Sequence, residues 1–226
     1  PGTTADFKNL MLMLRRQGIE SKKILGGTGE AAALLAVQLK KSPEAAAEMT
    51  AKLQDAMRAT EDEIKGVIDQ VQRLHYVGVE DSNIQGAFEK MSPALDILKI
   101  KGEAAMKKMS PLVGMLDQSG LVGESAGNAM RKVFTRMMDT KKIAKVTKGT
   151  GLSLDFTDGK GEFGDLDKMY DELAKLKTIN TEKRLKIIQG VFGDDAETLQ
   201  ALNTMIDKGK ACYEEFYKKL EAQASL

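Results

Sequence analysis

Residues 123–138 read GESAGNAMRKVFTRMM, and their spacing decides what kind of protein this is. Ala126, Ala129, Met130, Val133, Phe134 and Met137 recur at intervals of three and four, the period of one helix face. The spacing predicts a helix from Gly123 to about Asp139 whose apolar side meets other helices. The same rule holds for Phe7, Leu10, Met11 and Leu14 near the start of the chain. It returns at Leu166, Met169, Tyr170 and Leu173, and again at Tyr213, Phe216, Tyr217 and Leu220.

Composition agrees with that reading. The 226 residues include 13 methionines, no tryptophan and only 5% aromatics. Methionine fills irregular gaps between helices, while the β-branched and aromatic residues that suit sheets are few. A hydrophobic content of 42% is enough to bury a core in one or two domains. The 34 basic and 33 acidic residues nearly cancel, so no global field draws the chain to nucleic acid or to an anionic membrane. The single cysteine, Cys212, rules out an internal disulfide framework and suits a reducing compartment. The longest apolar run, AAALLAV from Ala31, falls far short of the roughly 20 residues a spanning helix needs, so no membrane contact is expected of this chain. The chain opens on Pro1 and closes inside a helical pattern, and it reads as a piece of a longer protein.

Proline placement supplies boundaries. Three of the four prolines follow serine, at Ser42-Pro43, Ser92-Pro93 and Ser110-Pro111. Serine at the N-cap accepts an orphan amide, and proline at the first helical position has none to orphan, so each pair predicts a helix start. Capping-box spacings at Thr60 and Glu63, Ser82 and Gln85, and Asp194 and Glu197 predict three more. Breaks are expected near Gly18, Gly26-Gly27, Ser42, Thr60, Gly78, Ser92, Ser110 and Gly120.

One stretch departs from the helical pattern. In LDFTDGKGEF, residues 154–163, a calcium loop would need oxygen ligands at positions 1, 3, 5 and 9, glycine at 6 and glutamate at 12. Starting from Asp155 or from Asp158, the register fails. Leu152, Leu154 and Phe156 alternate with polar residues as a half-buried strand does, and Asp158-Gly159 suits a two-residue hairpin turn. That turn would pair Leu154 with Phe163 and Asp155 with Glu162. The fold class expected is therefore mainly α, a multi-helix, bundle-like array with one small β-hairpin near residues 152–163. The non-helical segment is the natural boundary between an N-terminal helical region, 1–148, and a hairpin plus C-terminal helical region, 149–226.

Residues able to do chemistry are scarce. His75 is the sole histidine, so no histidine metal cluster exists, and Cys212 reads as a small core residue. Metalloprotease and C-x-x-C motifs are absent, and LGGTGE from Leu25 lacks both phosphate-loop and dinucleotide spacing. No catalytic, cofactor or metal residue is assigned. Local charge is more informative: between Arg131 and Lys148 lie seven basic residues (131, 132, 136, 141, 142, 145 and 148), opposed only by Asp139. Candidate partner-binding residues are Arg131, Lys132, Arg136, Lys141 and Lys142 here, and Tyr213, Phe216, Tyr217 and Leu220 as an exposed seam for self-association.

From about Lys101 onward the ordered pieces resemble the conserved region of phage tail tape measure proteins. They are the small-residue helix start GESAGNAMRKVF, the turn at Asp158-Gly159, the amphipathic LDKMYDELAKL from Leu166, and FGDDAETLQAL from Phe192 to Leu202. A weaker N-terminal match includes RLHYVGVEDSNIQGAFEKMSPAL from Arg73. The resemblance implies a structural role without catalysis or cofactor. Such proteins are helical scaffolds around which tube subunits polymerise; their length sets tail length, and they leave the tube as the genome is delivered. It implies tail tube and tail assembly proteins as partners, and a location in the virion tail and, during assembly, in the host cytoplasm. An α-helix advances about 1.5 Å per residue, so residue count converts to length, yet helices this short and broken suit a compact module within the scaffold. The alternative reading is a helical adaptor or regulator that binds nucleic acid or an acidic partner through residues 131–148. A helical cell-wall hydrolase, the third class weighed, has no positive feature here.

Overall fold

The computed structural model describes residues 3–226; Pro1, on which the sequence opens, and Gly2 lie outside the described residues. The elements are α1 (Thr4–Arg16), α2 (Ser21–Ile24), α3 (Gly27–Gln38), α4 (Pro43–Met57), α5 (Ile64–Tyr76), α6 (Asp81–Leu98) and α7 (Gly102–Gln118). They continue as α8 (Gly123–Met137), α9 (Thr140–Thr147), α10 (Leu166–Ala174), a 3-10 turn (Lys175–Thr178), α11 (Thr181–Phe192) and α12 (Ala196–Glu221).

The connections explain the stacking. After α1, α5 and α7 the chain leaves through a left-handed glycine, Gly18, Gly78 or Gly120. The next amide bonds back five residues, Ile19 to Leu14, Val79 to Leu74 and Leu121 to Leu116, the Schellman closure that satisfies orphan carbonyls. Val79 and Leu121 then turn into the core. Short, identical exits place alternate helices side by side. One row runs α1, α4, α6, α8 and the other α3, α5, α7, α12, and the rows face each other over a shared core. The most extensive pairing joins α6 to α8, where Gly127 lets the backbones approach: a Cβ there would lie 2.7 Å from Lys90 Cβ, with the Ala87 carbonyl oxygen closer still.

Two of the three serine-proline boundaries need correction. Ser42 caps α4 as expected, accepting the Ala45 amide at 3.1 Å with Pro43 at the first helical position. Pro93 and Pro111, however, lie inside α6 and α7. Each removes one backbone bond, a cost of about 3 kcal/mol or more, but buried residues flank both sites: Met91, Ala94 and Leu95 on one helix, Met109, Leu112 and Val113 on the other. Burial on both sides carries the helix through. The freed serines serve elsewhere, Ser92 donating to Ala56 O in the last turn of α4 at 2.6 Å. The actual break falls at Lys99, with φ 53°, where no glycine marks it.

The expected hairpin is not seen either. A single antiparallel bridge joins Thr157 to Phe163, closed by Asp158 N–H to Glu162 O at 2.8 Å and Gly164 N–H to Phe156 O at 2.9 Å. The loop between is five residues, and Asp158 Oδ1 organises it by accepting the amides of Lys160 (2.7 Å) and Glu162 (3.1 Å). Asp155 similarly accepts the Thr157 amide at 2.9 Å. Such side-chain bonds compete with a sheet ladder, and here they win, so neither Leu154–Phe163 nor Asp155–Glu162 forms a pair. Glu162 instead reaches Lys99 at 2.7 Å.

What replaces the second strand is a helix face. Lys168 donates to Thr157 O, Glu172 accepts the Asp155 amide at 2.8 Å, and Lys175 donates to Ser153 O at 3.0 Å. Two strand residues advance about 6.6 Å and four helical residues about 6 Å, so side chains at i, i+4 and i+7 meet alternate backbone groups of residues 153–157. The expected alternation survives in part: Leu154 and Phe156 are buried and Ser153 and Asp155 exposed, but Thr157 is buried too.

Candidate interaction surfaces

The C-terminal aromatic stripe is built by a bend. Gly209, with φ 68° and ψ −169°, breaks the line of α12, and Lys210 beyond it pairs with Asp167 at 3.3 Å. The segment after the bend lies along α7. Phe216 is 4% exposed and Leu220 3%, and the Phe216 ring fills the space beside Gly114, where an added Cβ would lie 3.0 Å from Cδ1 and nearer to the ring's far edge. The seam expected to be exposed for self-association is thus largely covered by the chain itself. Tyr213 stacks at 5.7 Å on Tyr170 and donates to Lys108 O at 2.6 Å; burial pushes both hydroxyls well above the usual phenolic range.

Tyr213 and Tyr217 remain at the surface as one wall of a groove of about 460 Å³, closed by Lys108, Asp165 and Leu166. These three lie far from the tyrosines in sequence, and no local pattern announces that they meet. The end of α12 is held from across the fold. The Arg73 guanidinium donates to the carbonyls of Leu220, Glu221 and Gln223 at 3.0–3.1 Å, while Asp69 orients Arg73 at 2.8 Å.

The basic residues fall into two groups. Arg131, Lys132 and Arg136 project from α8 into a polar cleft of about 510 Å³ shared with the start of α12, opposite Asp139, Asp195 and Glu197. Lys132 pairs with Asp195, which also caps α12 by accepting the Thr198 amide at 3.0 Å. Lys141 and Lys142 stand on α9, apart from that cleft; Lys141 is exposed and Lys142 half-buried. α9 turns Ile143 and Thr147 into the core and leaves Lys141, Lys145 and Lys148 in water. Lys145 and Lys148, absent from the five basic candidates, were legible from the i, i+4, i+7 spacing with Lys141. Asp195 was not, because 63 residues separate it from Lys132.

The Lys132 ammonium, and then the Thr198 hydroxyl and amide, hold the Asp195 carboxyl down at about 2. A depressed carboxylate contributes stability above its unfolded pKa, about 3.9, and loses it as pH falls through the folded value. Asparagine caps as well as aspartate but has no charge for Lys132. The melting-temperature gap between the parent chain and Asp195→Asn is therefore expected at pH 6 and to close between about pH 4 and pH 2. A gap constant across that range would mean that the cap, not the ion pair, is what counts. The gap itself will be small, since the pair is half-exposed.

Two rows of helices, with an aromatic groove and a polar cleft at the surface, define a mainly helical protein. Residues 2–193 match the family of phage-related minor tail proteins, and the chain belongs to that family. No curated protein matches it, and no solved structure does. Membership brings a structural role in the phage tail, a place in the virion tail and contact with other tail proteins. Among the described residues no helix is long and apolar enough to cross a membrane.

Proposed function

We propose that this chain is a folded helical module of a tail tape measure protein, the scaffold around which tube subunits polymerise in the host cytoplasm. Its full length sets the length of the tail, and it departs as the genome is delivered. The observation that carries this reading is an ordered set of elements: the small-residue start of α8, the loop at 154–163 and amphipathic α10, all within the matched residues 2–193, then Phe192–Leu202 at and beyond the end of that match. The short helices of this region fold back on one another in two rows, so the module adds contact surface more than length. It works by holding tail proteins and without turnover. Its one histidine, His75, acts as a link between helices, held by Asp81 at 2.8 Å while Asp81 also holds Lys41 at 2.9 Å.

The test is an in-frame deletion of the coding segment for residues 3–226 in a host that carries the whole tail gene cluster. Electron microscopy of induced lysates is expected to show few or no tails and unassembled tube subunit, with tails restored by the intact gene in trans. Tails in parental number and length would overturn the scaffold reading.

A further inference from the structure

We propose that α9 and the adjoining end of α8 form a docking face for the phosphate backbone of double-stranded nucleic acid, bound without regard to sequence. The chain as a whole is nearly neutral, at 34 basic and 33 acidic residues, so a local excess of charge has to be concentrated by the fold. Elsewhere some exposed cations have a carboxylate beside them, as in Lys52 with Glu48 at 2.7 Å and Lys65 with Glu30 at 2.9 Å. Between Arg131 and Lys148 only Lys132 is ion-paired, although Arg131 and Arg136 share their cleft with Asp139, Asp195 and Glu197. Among the described residues Arg131, Arg136, Lys141, Lys142, Lys145 and Lys148 form no ion pair. The one acid of the segment, Asp139, is engaged as the N-cap of α9, accepting the Lys142 amide at 3.2 Å.

Geometry spreads these charges along a line. Lys141, Lys145 and Lys148 follow one another at i, i+4 and i+7, all exposed, while Ile143 and Thr147 bury the opposite side. Their rise is about 6 Å and then about 4.5 Å, so three ammonium groups on flexible stems extend over about 10 Å. Lysines of this kind act as point charges, without the fixed fork by which arginine reads a particular carboxylate. A tightly held acidic peptide would draw on buried anchor side chains at the centre of its site, and the one aromatic residue of the segment, Phe134, is fully buried. Single strands are gripped by aromatic stacking on the bases, which this face does not offer. A duplex backbone asks only for spaced cations and the release of its own counterions.

Fluorescence anisotropy of a labelled 30-base-pair duplex of arbitrary sequence, titrated with the full chain, tests this. Binding is expected at 50 mM salt and, with four to six phosphates neutralised, should weaken about 10²- to 10³-fold at 200 mM. K141E/K145E/K148E should lose at least tenfold in affinity at 50 mM. K8E/R15E/K22E makes the same change of charge on exposed residues at the other end of the chain and should stay close to the parent. K141Q/K145Q/K148Q guards against misfolding of the reversed variant and should also weaken binding, with an unchanged circular dichroism melt. No binding at 50 mM, equal losses in both reversed variants, or equal affinity for polyglutamate or a 30-nucleotide single strand would overturn the proposal. The experiment reads binding alone, so a negative result leaves the tail-scaffold reading standing.

Discussion

Gly127→Val is expected to lower the melting temperature by about 5–10 °C, the fall that an overpacking cost of about 2–3 kcal/mol produces in a chain of this size. The reasoning turns on sign. Glycine inside a helix is destabilising by roughly 0.5–1 kcal/mol relative to alanine, so on propensity alone Gly127→Ala should stabilise α8. At this position the first side-chain atom would meet the Ala87 carbonyl carbon at 3.1 Å and Lys90 Cβ at 2.7 Å, and the backbone of α6 cannot step aside without moving its own buried residues. Alanine is therefore expected to destabilise, and valine to do so more. Gly66 in α5 is the control. A Cβ there meets the end of the flexible Glu103 side chain, with Cγ at 2.7 Å, which can swing into water. Gly66→Ala should therefore be neutral or stabilising. A thermal melt in which Gly127→Ala equals or exceeds the parent would show that the α6–α8 contact is looser than described.

Phe216→Ala is expected to cost about 3–5 kcal/mol, the range for emptying a buried aromatic site, with no change in molecular mass by light scattering. If the stripe of Tyr213, Phe216, Tyr217 and Leu220 were a seam between copies, the opposite would follow: an intact monomer and lost association. Phe216 sits against Gly114, and Lys219 covers the ring face at 5.5 Å, so truncation opens a cavity inside the chain. Phe216→Glu should be worse still, because it places a carboxylate among apolar neighbours. A parental melt combined with a reduced mass would return the stripe to the surface role.

How much of this was legible in the sequence depends on the range of the interaction concerned. The face of α8 was fully readable: Ala126, Ala129, Met130, Val133, Phe134 and Met137 are all buried, as their spacing required. The stripe at Met169, Tyr170 and Leu173 behaved likewise, while Phe7 kept 45% of its surface exposed. Ser42-Pro43 acted as a helix start, but Ser92-Pro93 and Ser110-Pro111 did not. The dipeptide permits a start, and whether the chain bends there depends on what is buried on either side. The loop at 154–163 kept Leu154 and Phe156 buried but also buried Thr157, and it lost its ladder, because the groups that satisfy its backbone, Lys168, Glu172 and Lys175, belong to α10 and the 3-10 turn that follows it. Of the candidate surface residues, Arg131 and Lys141 are exposed and Lys132, Arg136 and Lys142 half-buried, whereas Phe216 and Leu220 of the C-terminal stripe are buried.

Helical periodicity and the charge of residues 131–148 were determined by the chain itself, since each rests on neighbours no more than a turn or two away. Which helix covers which face, that Gly127 is a crossing point, that Asp195 answers Lys132, and that Lys108 and Leu166 close a groove on Tyr213 were decided only by the tertiary structure. Those contacts join residues tens of positions apart, and nothing in a local pattern of polarity carries the distance between two segments that have yet to meet.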